Sequence, residues 1–243
     1  MRSSETTTGE TGVTVGTAKT TELGLSLVDR LLIIVGAPVL GALLGIVLPS
    51  VAEWAADRPW LPVPGPFEVI ASFEGRWVAI ALGGAGLLLG LVGAAFIVAS
   101  CLKVTLSDQE IRVEKDSRTR IFARQDVGTV FMDGKQLVIL DRETRQLMRE
   151  AYEGRAGDLA CGFGGHGYPW AEGGDPYEEL YRRWVPDHPD LPPAANAVLK
   201  AREKALEKKQ RDDVTELGEE VQKLGFVVRD RSSRQYWRPL AGR

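Results

Sequence analysis

The chain has 243 residues, enough for one large domain or two small ones. Its 30 Lys and Arg nearly balance its 33 Asp and Glu, so the net charge of −3 gives the whole chain no basic or acidic bias. Two cysteines and two histidines are too few for a disulfide scaffold or a His-rich metal centre. The composition excludes disulfide-rich, collagen-like and wholly disordered proteins, and we expect no cofactor.

The N-terminal residues 1–22 are rich in Thr, Ser, Gly and Glu and contain few large apolar side chains. Such a segment buries too little apolar surface to fold, so the sequence predicts a disordered tail here.

Two long stretches without a charged residue follow, at residues 31–52 and 77–102. About 20 residues of helix cross the hydrocarbon core of a bilayer, where the backbone finds hydrogen bonds only within a helix. The sequence therefore predicts two transmembrane helices. The alternatives are a pair of buried soluble helices and, for the first stretch, a signal peptide. The mixed charge of the preceding 30 residues disfavours the signal peptide.

Basic residues near the spans predict the orientation, because they favour the cytoplasmic side. Lys19 and Arg30 precede the first span, whereas the connecting residues 53–76 contain only Arg58 and Arg76. The pattern predicts that both termini lie in the cytoplasm and that loop 53–76 lies outside. The basic residues after the second span are Lys103, Arg112, Lys115, Arg118 and Arg120, and the aromatic residues at the predicted outer ends are Trp54, Trp60 and Trp77.

Glycines recur at spacings of four in both spans, at Gly41 and Gly45 and at Gly86 and Gly90. This spacing lets two helix backbones approach closely. We expect the four glycines to pack the two spans into a hairpin, with a homodimer as the alternative. Neither span contains an ionisable residue, which argues against a transporter or pump.

Residues 103–170 change to a period of two, with short apolar runs separated by turn residues. Asp133-Gly134 between two such runs is a strong hairpin signal. The pattern predicts about six short strands in a small antiparallel barrel, with a covering helix at about residues 151–165. The whole chain is thus predicted to be a membrane α+β protein.

Residues 171–193 are predicted to hold a short helix and then a proline-rich linker from residue 185 onward. Tyr177, Tyr181 and Trp184 share one face of that helix by spacing. They favour packing over a ligand cage, because aromatic residues dominate protein cores.

Residues 194–243 predict a separate module of two helices and a β-hairpin. Residues 194–209 are strong helix formers, and Asp213 with Glu216 forms a capping box for a second helix that ends at Gly225. We expect this module to fold by itself around a private core. The predicted core residues are Leu206, Val214, Leu217, Val221, Leu224, Phe226, Val228 and Trp237.

The same module is basic, with twelve Lys or Arg and eight Asp or Glu from residue 196 onward, a net charge of +4. Its predicted β-hairpin contains Arg229, Arg231, Arg234 and Arg238. These side chains are candidate contacts to the phosphates of an RNA. The alternative is an ordinary solvated surface of mixed charge.

Catalytic motifs are weak or missing. Gly162, Gly164 and Gly167 match a phosphate-loop pattern, but Pro169 blocks the helix that such a loop must open. Cys161 and His166 lack two further metal ligands. We therefore expect neither catalytic nor metal-binding residues, and predict that the protein is not an enzyme.

Three stretches resemble the YqeB family of bacterial membrane proteins. They are residues 130–142 (VFMDGKQLVILDR), 166–170 (HGYPW) and 181–187 (YRRWVPD). The resemblance implies two membrane helices, a pleckstrin-homology-like (PH-like) domain and a C-terminal domain similar to the C-terminal piece of cysteinyl-tRNA synthetase. That last similarity rests on Ala201-Arg202, Lys208-Lys209, Asp213, Leu217, Leu224-Gly225, Asp230 and Trp237.

Together with this resemblance, these features predict a scaffold or binding protein of the bacterial inner membrane that is tethered to the lipid bilayer and binds a protein partner in the cytoplasm. PH-like domains offer strand edges and loops that suit peptide binding. The alternative function is RNA binding through the C-terminal module.

Overall fold

A computed structural model describes residues 20–56, 76–231 and 234–241. Most of the predicted tail and loop, with Lys19, Arg58 and Trp60, lies outside the described residues. The elements in chain order are β1 (Thr21–Leu23), α1 (Leu27–Ala56), α2 (Arg76–Ser100), β2 (Lys103–Leu106), β3 (Glu110–Lys115), β4 (Arg118–Ala123), β5 (Thr129–Asp133), β6 (Gln136–Leu140), β7 (Gln146–Ala151), α3 (Ala156–Gly165), β8 (Arg182–Arg183), α4 (Pro193–Glu207), α5 (Arg211–Lys223), β9 (Phe226–Arg231) and β10 (Arg234–Pro239).

Strand β1 precedes the two long helices and pairs with β2, which follows them. The pairing is antiparallel, with Thr21 opposite Leu106 and Leu23 opposite Val104. The tail predicted for residues 1–22 is therefore wrong at its C-terminal end, because Thr21 and Glu22 belong to a sheet. The chain consequently leaves one sheet to enter α1 and returns to the neighbouring strand of that sheet from α2.

Helices α1 and α2 are long and apolar enough to span a membrane, and only about 11% of each candidate span is buried. Ser26 caps the first helix: its Oγ accepts a hydrogen bond from the Asp29 N–H at 3.1 Å and donates one to the Asp29 carboxylate at 2.7 Å. The two helices pack against each other as an antiparallel pair.

The four glycines of the sequence pattern lie at this helix–helix contact. A Cβ added to Gly41 would lie 2.1 Å from the carbonyl oxygen of Gly86, and one added to Gly45 equally close to that of Leu82. A Cβ on Gly90 would meet the backbone of Ala37 at 2.4 Å. These glycines therefore lie where α1 and α2 pack against each other within one chain, and the homodimer alternative stays a prediction.

Seven strands form two separate antiparallel sheets, in the orders β1-β2-β3-β4 and β5-β6-β7. The predicted barrel is therefore not closed, since no strand pairing joins the two sheets in the part of the chain that the structure describes. Their inner faces share one apolar core, which Leu159 and Phe163 of α3 complete. The Asp133-Gly134 hairpin is present, with Gly134 at a φ of +62°.

The C-terminal module contains α4, α5 and a three-stranded sheet in the order β8-β10-β9. Its core includes Trp184 and Leu191, so the predicted linker at residues 185–193 is wrong. The Asn196 amide explains why: it accepts hydrogen bonds from the Trp184 indole at 3.1 Å and the His188 N–H at 3.1 Å, and donates to the His188 and Leu191 carbonyls. The segment is packed onto α4 instead of linking two domains.

The predicted private core is correct only in part. Val221, Val228 and Trp237 are buried, but Leu224 is exposed, and Leu206, Val214 and Leu217 are half-buried. Ala195 and Leu199 of α4 take their places inside. The half-buried residues Leu206 and Val214 line a cleft described below.

Replacement of Gly41 by Ala is expected to destabilise the hairpin, because the added methyl group collides with the Gly86 backbone. Gly84→Ala is the matched control: nothing lies within 4 Å of its Cβ, and Ala favours a helix over Gly by about 1 kcal/mol. Thermal unfolding of the full chain in detergent measures both. Equal unfolding temperatures for the two variants would contradict the glycine-packed hairpin.

Candidate functional site

The four candidate RNA-contacting arginines have different surroundings. Arg229 and Arg238 are buried, Arg231 has a half-exposed side chain and Arg234 is exposed. The proposed phosphate-binding cluster is thus wrong for Arg229 and Arg238, because each lies inside a contact between the C-terminal module and the PH-like domain.

Arg229 forms the centre of this contact. Its guanidinium donates two hydrogen bonds to the Glu178 carboxylate, at 2.6 and 2.7 Å, and stacks on the ring of Tyr181 at 3.7 Å. Arg231 donates to the same carboxylate at 2.8 Å. A fork of donors matched to one carboxylate fixes both distance and orientation.

Asp133 at the end of β5 connects the cluster to the PH-like domain. Its carboxylate accepts a hydrogen bond from Arg149 of β7 at 2.7 Å, and Arg231 lies 3.3 Å away. Asp175 is buried 3.6 Å from Arg229. We call Asp133, Asp175, Glu178, Arg149, Arg229 and Arg231 the interdomain ion cluster. It holds β9 against the sheet β5-β6-β7.

A second contact lies beside this cluster. Arg238 donates to the Thr144 carbonyl at 2.8 Å, and the N–H of Ala241 donates to the Thr144 hydroxyl at 2.9 Å. The rings of Tyr177 and Tyr181 cover the Arg238 guanidinium. These tyrosines pack as predicted, but the predicted short helix is only a 3₁₀ turn over Glu178–Leu180.

The pKa values of the acidic groups follow from these contacts. The hydrogen bond and charge of Arg229, with those of Arg231, lower the pKa of Glu178 from its ordinary value. Burial alone raises the pKa of Asp133, but the hydrogen bond and charge of Arg149 and the charge of Arg229 outweigh it and lower the pKa. Both carboxylates are therefore held in the ionised form.

A cleft of about 860 Å³ opens between the two modules. Strands β3, β4 and β7 form one side, and helices α4 and α5 form the other. Its apolar lining includes Val113, Met148, Leu206 and Val214. Most other lining residues are charged, with basic residues along β4 and residues of both signs along α5.

The outer edges of β4 and β7, which both border the cleft, differ in their hydrogen bonding. On β7, the N–H of Gln146 donates to the Gln222 side chain at 2.6 Å, and Gln222 donates back to the Gln146 carbonyl at 3.3 Å. The module thus caps the β7 edge at this position. Strand β4 pairs only with β3 among the described strands, so its outer edge stays open.

The sequence patterns do not predict a series of hydrogen bonds that joins Thr21, His166 and Asp108. The Thr21 hydroxyl lies 2.9 Å from Nε2 of His166, and Nδ1 of His166 lies 2.6 Å from the Asp108 carboxylate. The His166 side chain is only 2% exposed. This series of hydrogen bonds fixes β1 to the C-terminal end of α3 and to the β2–β3 turn. No sequence signal could find it, since Thr21 and His166 are 145 residues apart.

The glycine pattern at residues 162–167 is not a phosphate loop. Gly162 and Gly164 lie inside α3, and Gly167 follows its end at a φ of +67°. A Cβ on Gly162 would lie 2.7 Å from the Leu23 side chain, so this glycine lets β1 approach α3. Among the described residues, no cluster of three His, Cys, Asp or Glu is arranged to hold a metal ion.

An open pair of sheets with a covering helix, a second module on its open corner and an inserted apolar hairpin defines a PH-like domain protein with two candidate membrane helices. Residues 21–171 match the family described as the YqeB-like bacterial PH domain. The chain is also 38% identical over 200 residues to "Uncharacterized protein YqeB" of Bacillus subtilis (strain 168), covering 82% of this chain and 83% of that protein. The chain therefore belongs to the YqeB family.

The C-terminal module has a match of its own. Residues 188–238 match the family described as the cysteinyl-tRNA ligase anticodon binding domain. That match begins before α4, within the segment that packs against Asn196. No solved structure matches the chain.

The interdomain ion cluster is expected to weaken in acid. A lowered carboxylate pKa contributes stability that is complete above the ordinary pKa and is lost as pH falls through the lowered value. The loss therefore begins below about pH 4.5 for Glu178 and below about pH 4 for Asp133. Hydrogen exchange of the β9 amides between pH 6 and pH 3 measures the opening.

Glu178→Gln should weaken the contact at neutral pH by about 1–3 kcal/mol, a range that allows for the half-exposed carboxylate. It should also flatten the acid dependence. Glu179→Gln is the matched control, because its exposed carboxylate makes no ion pair with the described residues. Identical exchange in the two variants would argue against the cluster as the interdomain lock.

Proposed function

We propose that the protein is a membrane-anchored, non-catalytic scaffold. Its PH-like domain and C-terminal module act as one cytoplasmic binding unit, held against the membrane surface by the hairpin of α1 and α2. The observation that carries this proposal is the pairing of β1 with β2 around the hairpin. Because β1 precedes α1 and β2 follows α2 in the same sheet, the N-terminal end of α1 and the C-terminal end of α2 lie on the same side, next to the domain.

The surface of the hairpin supports insertion into lipid. Its outward side chains are large and apolar, including Leu32, Leu89 and Phe96, each more than two-thirds exposed. A soluble protein rarely leaves so large a continuous apolar surface uncovered. Trp54 and Trp77 lie near the ends of the helices farthest from the domain, where indole rings favour the headgroup layer.

The described contacts support a single binding unit. The interdomain ion cluster, the Arg238–Thr144 contact and the Gln146–Gln222 pair each connect a strand of the PH-like domain to the C-terminal module. Three such contacts restrain the two modules in one relative orientation. The cleft between them then has a fixed shape, which suits the recognition of a partner.

The topology is tested with single cysteines in a chain whose Cys101 and Cys161 are replaced by Ser. Position 64 lies in the connecting loop, and Ser117 lies in the β3–β4 turn. A membrane-impermeant maleimide should label Cys at position 64 in intact cells and Cys at position 117 only after lysis. Labelling of both positions in intact cells, or only of position 117, would refute the proposed orientation.

The proposal of a non-catalytic protein has its sharpest test at Thr21, His166 and Asp108. Their order of hydroxyl, imidazole and carboxylate is the order used in nucleophilic catalysis. We assign them a structural role, because the His166 ring is buried under the Thr21 hydroxyl. Hydrolysis of p-nitrophenyl acetate should not differ between the wild-type chain and Thr21→Val. A rate that falls with this substitution in a folded variant would contradict the assignment.

RNA binding is a second candidate function, favoured by the match of residues 188–238 to an anticodon binding domain. The exposed basic residues that remain for it include Lys200, Lys204, Lys208, Lys209, Arg211, Lys223 and Arg234. If RNA is the ligand, tRNA binding to the full chain should weaken steeply with salt. Arg234→Ala should weaken it without unfolding the module, whereas Glu203→Ala should not weaken it. Salt-independent retention of tRNA would contradict this candidate.

A further inference from the structure

The open edge of β4 indicates which class of partner the protein binds, an inference that rests on the proposed scaffold function. The β3–β4 hairpin turns through Asp116 and Ser117, both at positive φ, as a two-residue turn requires. In such a hairpin the flanking pair Lys115 and Arg118 exchange hydrogen bonds, and the alternation continues along the ladder. Thr119 and Ile121 therefore direct their backbone N–H and C=O groups away from β3.

These outward groups have no strand beside them, since β4 ends its sheet. Thr119 is exposed, and the Ile121 side chain is 54% exposed. An uncapped edge of this kind accepts an extended peptide as an additional strand. The neighbouring β7 edge differs, because Gln222 already occupies its backbone groups at Gln146.

The side chains of β4 indicate the charge of the peptide. Arg118 and Arg120 lie on the face that lines the cleft, and Arg120 is opposite the buried Val113. Neither arginine has an ion pair or side-chain hydrogen bond with the described residues. Both arginines are exposed, so their guanidinium groups are available to an acidic partner.

The other wall of the cleft has mixed charge, with Lys209 and Arg211 followed by Asp212, Glu216 and Glu219. It has no strand edge, so a peptide that binds through its backbone is held at the arginine side. On the opposite face of β4, Ile121 offers an apolar neighbour beside Thr119. Acidic side chains facing the arginines and β-branched side chains facing Ile121 would satisfy both surfaces.

We infer that the β4 edge and the cleft together form a docking site for an extended peptide in which acidic and apolar residues alternate. The peptide adds a fifth strand to the sheet β1-β2-β3-β4. Its acidic side chains pair with Arg118 and Arg120, and its backbone bonds to Thr119 and Ile121.

The test uses the full chain in nanodiscs of phosphatidylcholine and a fluorescein-labelled, blocked peptide of three Glu-Val repeats. Binding is measured by fluorescence anisotropy. A peptide of three Lys-Val repeats is the charge control, because it has a similar strand propensity and the opposite charge. An acidic peptide with a central proline is the backbone control, because proline lacks the N–H that would pair with β4. Only the first peptide should bind, and hydrogen exchange should slow at the amides of Thr119 and Ile121.

Variants separate the charge from the backbone contribution. Arg120→Glu should weaken binding by about tenfold or more, since it replaces an attraction with a repulsion. Arg112→Glu makes the same change on the opposite face and should alter binding by less than about twofold, because its pair with Glu110 is exposed. Ile121→Pro should abolish binding, and Ile121→Val should preserve it. Circular dichroism verifies that each variant is folded.

Two results would overturn the inference. One is equal or tighter binding of the basic peptide, and the other is binding of the acidic peptide that survives both Arg120→Glu and Ile121→Pro. Displacement of the acidic peptide by tRNA in an Arg120-dependent manner would assign the cleft to RNA instead. Because the cysteine labelling that tests membrane anchoring does not involve β4, the anchor proposal stands or fails separately.

Discussion

The pairing of β1 with β2 is the constraint on which the rest of the structure depends. It makes the two apolar helices an insertion between neighbouring strands of one sheet, so the start of α1 and the end of α2 lie at the same domain. The Thr21–His166–Asp108 hydrogen bonds and the close approach of Gly162 to Leu23 strengthen this edge of the sheet. Midway along the insertion, glycines let the two helix backbones approach each other closely within one chain.

The opposite end of the domain is organised by charge. The sheets leave a corner open between β4 and β7, and the C-terminal module sits there through buried arginines. Removing one partner from such a buried pair costs more than the pair contributes, because the remaining charge stays buried without compensation. The ion cluster therefore acts mainly as a device that fixes orientation. That fixed orientation gives the cleft one capped strand edge and one open edge.

An arginine in a predicted hairpin can be a surface contact for phosphate or a buried contact between domains, and the sequence pattern does not distinguish the two. Arg229 and Arg238 alternate along strands as surface residues would, and a net charge of +4 suggested a phosphate partner. Their carboxylate, carbonyl and aromatic partners come from residues 133, 144, 178 and 181, between 48 and 96 positions away. The similarity to an anticodon binding domain therefore does not make Arg229 and Arg238 available to an RNA.

The sequence by itself determined the elements whose signal is local. Uncharged runs, glycine spacing, two-residue alternation and helix-forming residues specified the long helices, the Asp-Gly hairpin and the C-terminal helices, because these depend on neighbours a few positions apart. The predicted capping box of Asp213 and Glu216 is wrong, because α5 begins at Arg211 and its N-cap residue Gln210 makes no side-chain cap. Tertiary structure alone decided that residues 21–23 join the sheet, that residues 184–191 complete a core and that the barrel stays open. Each of these depends on contacts between distant segments, which hydrophobic periodicity does not encode.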